Sequence, residues 1–142
     1  MSTIIGNHDI MKVLRAKIQA NSTITSELAS VNEVREAEYQ GRSFSYPAIR
    51  IDVQRQTPGV VNTEKCVVNQ AFWVIRVYDE NDSSSNCDRI ASIVANQLDR
   101  GYVSDETLLI NRMYLNGLMG ARQVAEKLWM AELIFTGNVY AR

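Results

Sequence analysis

The chain has 142 residues and a mass of 16.0 kDa, is 46% hydrophobic and 22% charged, and sets 15 Lys and Arg against 16 Asp and Glu. Leu, Ile, Val and Phe supply 38 residues, enough for a packed core, which excludes wholesale disorder and fits one globular domain over residues 1–142. A net charge of −1 offers no global field for coating nucleic acid, and the longest apolar run, Ala71–Ile75, is far below the roughly 20 residues of a spanning helix.

The N-terminus has no basic-then-apolar secretion layout, so the expectation is a soluble chain made in the cytoplasm, with no membrane partner. Ile10, Val13, Leu14 and Ile18 recur at i, i+3, i+4 and i+8, which predicts an amphipathic helix over 8–20 with Asn7 as its cap. The polar, β-branched stretch Asn21–Thr25 stops this helix, or restarts it as a short turn before Leu28. Residues 31–39 place Val31, Val34, Ala37 and Tyr39 out of strict alternation among three glutamates, as an edge strand tolerates. A loop follows at Gly41–Ser43.

Tyr46-Pro47 opens the cleanest strand, with Ile49, Ile51 and Val53 on one face and Arg50, Asp52 and Gln54 on the other. Pro58-Gly59 supplies turn chemistry for a hairpin. On its returning arm Val67, Ala71, Trp73, Ile75 and Val77 share a face that Asn69 interrupts. Phe72 and Val74 join Gln70 and Arg76 on the second face, which is expected to be covered too. Asp79–Ser85 reads as a capping turn, and Cys87, Ile90, Ala91, Val94 and Leu98 predict a helix that stops at Gly101.

Thr107–Leu115 then reads as a strand and Asn116-Gly117 as a hairpin turn. Ala121–Val139 is one long strand or two joined by a bulge near Lys127, because Val124 and Leu128 are out of phase with Trp129, Ala131, Leu133 and Phe135. This order implies an α+β fold: a mainly antiparallel sheet of four to five strands with two main helices packed on one face.

Chemistry-bearing motifs are few. Cys66 and Cys87, 21 residues apart, match neither a redox pair nor a zinc site and are expected to be small buried hydrophobes. His8 is the sole histidine, so no metal site, cofactor site or catalytic residue is expected, and His8 is read as satisfied or solvent-facing. The triplets at Asn21 and Asn81 fit glycosylation acceptors, a pattern common by chance. Gly117-Leu118-Met119-Gly120 has the spacing of an RNA-clamping loop, but between strand-like runs a hairpin turn is favoured. Asp79, Glu80, Asp82 and Asp88 lack the glycine and distal glutamate of a calcium loop and read as a solvated, helix-capping turn. Arg50, Arg55 and Arg76 are expected as a cationic stripe on the solvent side, with Asp52 paired to one of them. Arginines outnumber lysines 11 to 4, a composition suited to interfaces, and Trp73 and Trp129 fall on inward faces.

The chain layout resembles the tail terminator proteins of long-tailed bacteriophages, also described as minor tail or tail completion proteins. The resemblance is carried by the N-terminal amphipathic helix, the segment Tyr46-Pro47-Ala48-Ile49-Arg50-Ile51 and the long strand ending Phe72-Trp73-Val74-Ile75-Arg76-Val77-Tyr78. It continues through the acidic-serine turn, the helix Ile90–Leu98 and the closing Leu128–Phe135 strand. It implies a non-enzymatic virion protein in the tail or neck: six copies in a ring on the last ring of the tail tube, ending its polymerisation and presenting a surface to the head connector. The implied partners are further copies of the chain, the tail tube protein and the connector or neck proteins, with DNA only as passing cargo in a lumen that avoids strong positive charge.

From the layout, Arg55, Thr57, Glu64 and Lys65 on the first hairpin arm, and Asn116 and Gly117 on the second, are the expected partner-binding residues. A head-closure or head–tail joining ring protein is the alternative within assembly. A small cytoplasmic ligand-binding domain or enzyme is the alternative outside it, hinted at by Asn69.

Overall fold

The computed structural model describes residues 5–36, 45–58 and 68–141. Ala37, Tyr39, Gly41–Ser43, Gly59, Glu64, Lys65, Cys66 and Val67, all of which carried sequence expectations, lie outside the described residues. Helix α1 spans Asn7–Gln19 and buries the expected stripe of Ile10, Val13, Leu14 and Ile18. Each such side chain contributes about 1.5–3 kcal/mol by leaving water. Asn7 is not its cap. Gly6 holds that position and its carbonyl accepts the Asp9 and Ile10 amides, while the Asn7 side chain accepts the Gln56 amide at 2.7 Å.

The helix restarts as α2, Ser22–Thr25, because the Asn21 carboxamide accepts the Ile24 amide and Ile24 is fully buried. A 3-10 turn at Val31–Glu33 then leads into β1, Val34–Glu36, which runs parallel to β2, Ala48–Pro58. β1 is an edge strand, as its broken alternation suggests. The long partner of β2 is β3, Val68–Glu80, and α3 follows at Ser85–Leu98. β4 (Val103–Ser104), β5 (Leu108–Ala125) and β6 (Leu128–Ala141) complete the order.

The described sheet has six strands in the order β1-β2-β3-β6-β5-β4, antiparallel except for β1 with β2. The expected four to five strands undercount it. Two-residue β4 is too short to leave a periodic signal. One cluster joins Val13, Ile18, Ile90 and Leu98 of the two main helices to Ile49, Trp73, Ile75, Leu133 and Phe135 of one sheet face. Helix α1 contacts β1 and β2 at one edge and also β4 at the other, so the sheet curls around it.

Two turn readings are corrected. Asn116-Gly117 lies within β5, and the hairpin turns instead at Glu126-Lys127, between paired Ala125 and Leu128. Lys127 takes the positive φ of 57° that such a turn needs, where a bulge was expected. The pairing of β6 overrides the local turn chemistry: β5 absorbs Asn116 as the extra residue of a register shift between Leu115, which faces Phe135, and Gly117, which faces Ile134. A Cβ on Gly117 would meet Ile134 Cδ1 at 3.6 Å, an ordinary contact. Gly117→Ala is therefore expected to be neutral or stabilising by about 0.5–1 kcal/mol, read from its urea midpoint, whereas a turn glycine at positive φ would lose stability.

Gly101 likewise does not end α3. Asp99 caps the helix and Arg100 takes the left-handed φ of 64°, held because its amide donates to the Met113 carbonyl.

Cys87 is buried as expected and its Sγ donates to the Val77 carbonyl. Burial pushes the thiol up from its ordinary 9.0 to about 11. An unfolded chain thus releases this proton at lower pH than the folded one, so the contribution is constant below about pH 9 and stability falls as pH rises from about 9 to about 11. In a Cys66→Ser background, a thiol-exchange reagent at pH 7 is expected to modify Cys87 only at the rate of unfolding, and Cys87→Ala should reduce the alkaline fall. Rapid modification of the folded protein would contradict the burial.

Candidate docking surfaces

The sheet face opposite the helices combines aromatic, aliphatic and charged side chains. β-strand alternation sends Phe72, Val74, Arg76 and Tyr78 of β3 to this side, beside Met130, Glu132 and Ile134 of β6. Val74 and Met130 are buried, yet they lie outside the core cluster.

Two ion pairs cross the strands here, Arg76 to Asp52 at 3.5 Å and Arg122 to Glu132 at 2.7 Å. Arg55 sets its guanidinium 4.7 Å from the Phe72 ring centroid. Such half-exposed pairs contribute little to stability, on the order of 0–1 kcal/mol, but their paired charges set which surfaces the face accepts.

The expected cationic stripe is broken at Arg50, which is only 3% exposed. Its Nη1 donates to the Glu33 and Ile49 carbonyls at 2.7 and 2.9 Å, and its Nη2 lies 3.4 Å from Glu33 Oε1. Burial pulls the guanidinium's pKa down and Glu33 counters it. The 3-10 turn before β1 brings Glu33 over Arg50; strand alternation alone gives no sign of this. Asp52 does pair across the ladder, with Arg76.

The expected partner-binding residues do not converge. Arg55 and Thr57 are exposed on β2, whereas Asn116 and Gly117 lie on β5 with β3 and β6 between them. Glu64 and Lys65 lie outside the described residues. Among the described residues, Tyr114, Leu118, Met119 and Val124, four of the six exposed large apolar side chains, are on β5. Exposed apolar side chains are thus concentrated on this strand.

Its edge is nevertheless guarded. Asp99 accepts the Leu115 amide at 2.9 Å and Asp88 accepts the Ala121 amide at 2.7 Å, so two carboxylates from the ends of α3 occupy donors that a foreign strand would use. Nothing in the sequence spacing marked these two aspartates as edge caps.

The remaining motifs find structural roles. Asn69 donates to Gln56 Oε1, and Gln56 in turn donates to the Ile5 carbonyl and Asn7, so this polar break in an apolar face ties the hairpin to the N-terminus. In the acidic turn, buried Asp79 accepts from Asn86, Asp82 lies 3.5 Å from Lys127, and Asp88 caps β5. Among the described residues no three His, Cys, Asp or Glu side chains are grouped to hold a metal. The GxxG segment is strand, without the loop an RNA clamp requires. Trp73 is fully buried, and Trp129 is partly buried with its Nε1 donating to the Asn81 carbonyl. No described helix is long and apolar enough to cross a membrane.

One groove of about 640 Å³ opens between α1 and the β4–β5 connection. Lys12 and Lys17 line one side and Asp105 and Glu106 the other. Asp105 is already engaged, its Oδ1 accepting the Thr107 and Leu108 amides.

The fold has a solved counterpart. A chain from the virion of a native gene transfer agent particle matches with a TM-score of 0.67 at 12% identity, over 92% of this chain and 94% of that one. At that identity the match establishes a shared fold. No protein-family model matches the sequence, and no curated protein does.

Proposed function

We propose that this chain is a structural component of a phage-like virion, and more finely the tail terminator: a ring of six copies that caps the tail tube, ends its polymerisation and receives the head connector. The observation that carries the reading is the near end-to-end match of its fold to a chain from a gene transfer agent virion. The order of elements that resembles tail terminators supports the finer role. A subunit of such a ring needs a side-to-side contact that closes and separate surfaces for tube and connector. The outer sheet face, with its aromatic residues and crossed ion pairs, and the exposed apolar side chains of β5 offer surfaces of this kind.

The test is native mass at low and high concentration, with negative-stain images, followed by addition to polymerising tail tube protein. The expected results are a ring of about 96 kDa, six times the 16.0 kDa chain, and tubes capped and shortened by it. Rings that ignore tubes and bind head connectors would reassign the chain to the neck. A monomer that binds neither would overturn the assembly reading.

A further inference from the structure

The sheet carries a groove at one end and an exposed turn at the other. At the first end a single ladder row runs from Pro58 through Asn69, Val139 and Ile110 to Val103, and the groove between α1 and β4 opens beside its last member. At the second end β5 turns into β6 at Glu126-Lys127, beyond the row in which Leu128 faces Glu80 and Ala125. Between these two rows β6 runs from Val139 to Leu128, roughly 37 Å at about 3.4 Å per residue. The turn therefore cannot enter the groove of its own chain.

Turn and groove are nevertheless complementary. The groove has a floor of Val13, Ala16 and Val103, with Lys12 and Lys17 on one wall and Glu106 on the other, where Asp105 is already held by its own turn. The turn presents an adjacent acid and base, Glu126 and Lys127, directly after exposed Val124 and Ala125. Among the described residues Lys12, Glu106 and Glu126 make no ion pair, and Lys127 has only a surface pair, 3.5 Å from an Asp82 that is 87% exposed. Tyr102, 64% exposed, stands at the groove with the Lys17 ammonium 5.6 Å from its ring centroid, and Val124 is an exposed apolar counterpart on the turn.

We propose that the β5–β6 turn of one copy docks in the α1–β4 groove of the next, with Glu126 toward Lys12 and Lys17, Lys127 toward Glu106 and Val124 against Tyr102. Groove and turn are different surfaces of the same chain, so the contact is head-to-tail and its closed form is a ring. The inference deepens the assembly reading and rests on it only in requiring more than one copy.

The experiment mixes equal amounts of ¹⁴N- and ¹⁵N-labelled full-length chain, with and without tail tubes, and couples carboxylates to lysines with a zero-length carbodiimide. Coupling of Lys127 to Asp82 within one copy reports that the reagent has acted on the folded chain. Mixed-isotope linkage of Glu126 to Lys12 or Lys17, or of Lys127 to Glu106, is expected. In parallel, Lys12→Glu with Lys17→Glu should weaken association about tenfold or more, and adding Glu126→Lys in the same chain should restore most of it. Glu106→Lys and its rescue by Lys127→Glu repeat the test on the other wall. An unchanged melting temperature checks that the variants fold.

No mixed-isotope links even on tubes, links between copies only elsewhere, or charge-reversed variants that associate like the parent would overturn the proposal. Rings lacking these links would leave the proposed function standing and this contact wrong. Linked assemblies that ignore tubes would do the reverse.

Discussion

Trp73→Ala is expected to cost about 3–5 kcal/mol, a large share of the roughly 5–15 kcal/mol that holds a domain of this size together. Trp73 lies on β3, a central strand, is fully buried, and stacks on Phe135 of β6 with ring centroids 6.0 Å apart and planes 7° from parallel. Truncation removes the largest fully buried side chain and leaves a cavity between β2 and β6, which backbones fixed by ladder hydrogen bonds close only partly. The indole Nε1 is buried and finds no hydrogen-bond acceptor among the described residues. Burying such a donor costs about 1–3 kcal/mol, so Trp73→Phe, which keeps the stack and removes the donor, should lose far less than the alanine variant. Urea midpoints at unchanged slope measure both. An alanine variant within about 1 kcal/mol of the parent would mean that Trp73 does not organise the core.

Gly137→Ala should destabilise for the opposite reason, by about 1–3 kcal/mol or more. A Cβ there would lie 2.9 Å from the Arg112 carbonyl oxygen, 3.0 Å from Ile110 Cγ2 and 3.1 Å from Trp73 Cη2. The indole and isoleucine can shift, but the Arg112 oxygen belongs to the backbone of β5 and cannot move without disturbing the ladder. Gly137 has no positive φ, so the constraint is space alone. Its partner test is Gly117→Ala, a glycine on the paired strand where the added methyl meets only a side chain. Combining Gly137→Ala with Trp73→Phe should recover part of the loss, because one clash is relieved while the carbonyl contact remains. Full recovery would show that the indole is the obstacle. Equal losses at the two glycines, read from thermal and urea midpoints, would contradict the packing.

These variants bear on the scaffold, and the docking surfaces depend on it. Gly137 lies two residues from Val139, which is in the row that joins Pro58 to Val103, and Trp73 holds the strand pair from which the outer face projects. Variants on the outer face or in the groove can therefore be read as effects on association only when their melting temperatures match that of the parent.

Periodicity in the sequence determined α1, α3, β2 and β3, most of β6, and the inward faces that carry Trp73, Phe135 and the two helix stripes. Each of these has one wet and one dry side over many residues, and that difference is written directly in side-chain polarity. Tertiary structure alone decided the rest. Asn116-Gly117 has the chemistry of a turn, but pairing with β6 on both sides of it, carried through a one-residue register shift, outweighs two residues of turn preference, and Lys127 bends in its place. Arg50 alternates like a solvent residue, and only the turn at Val31–Glu33 brings the carboxylate and carbonyl that bury it. Asp88 reads as part of a solvated capping turn and Asp99 carries no sequence signal of its own until β5 passes them. The same holds for two-residue β4, the groove beside it and the row that joins it to Pro58. Local pattern records which way a side chain faces, whereas strand partners, edges and clefts come from contacts between segments far apart in the chain.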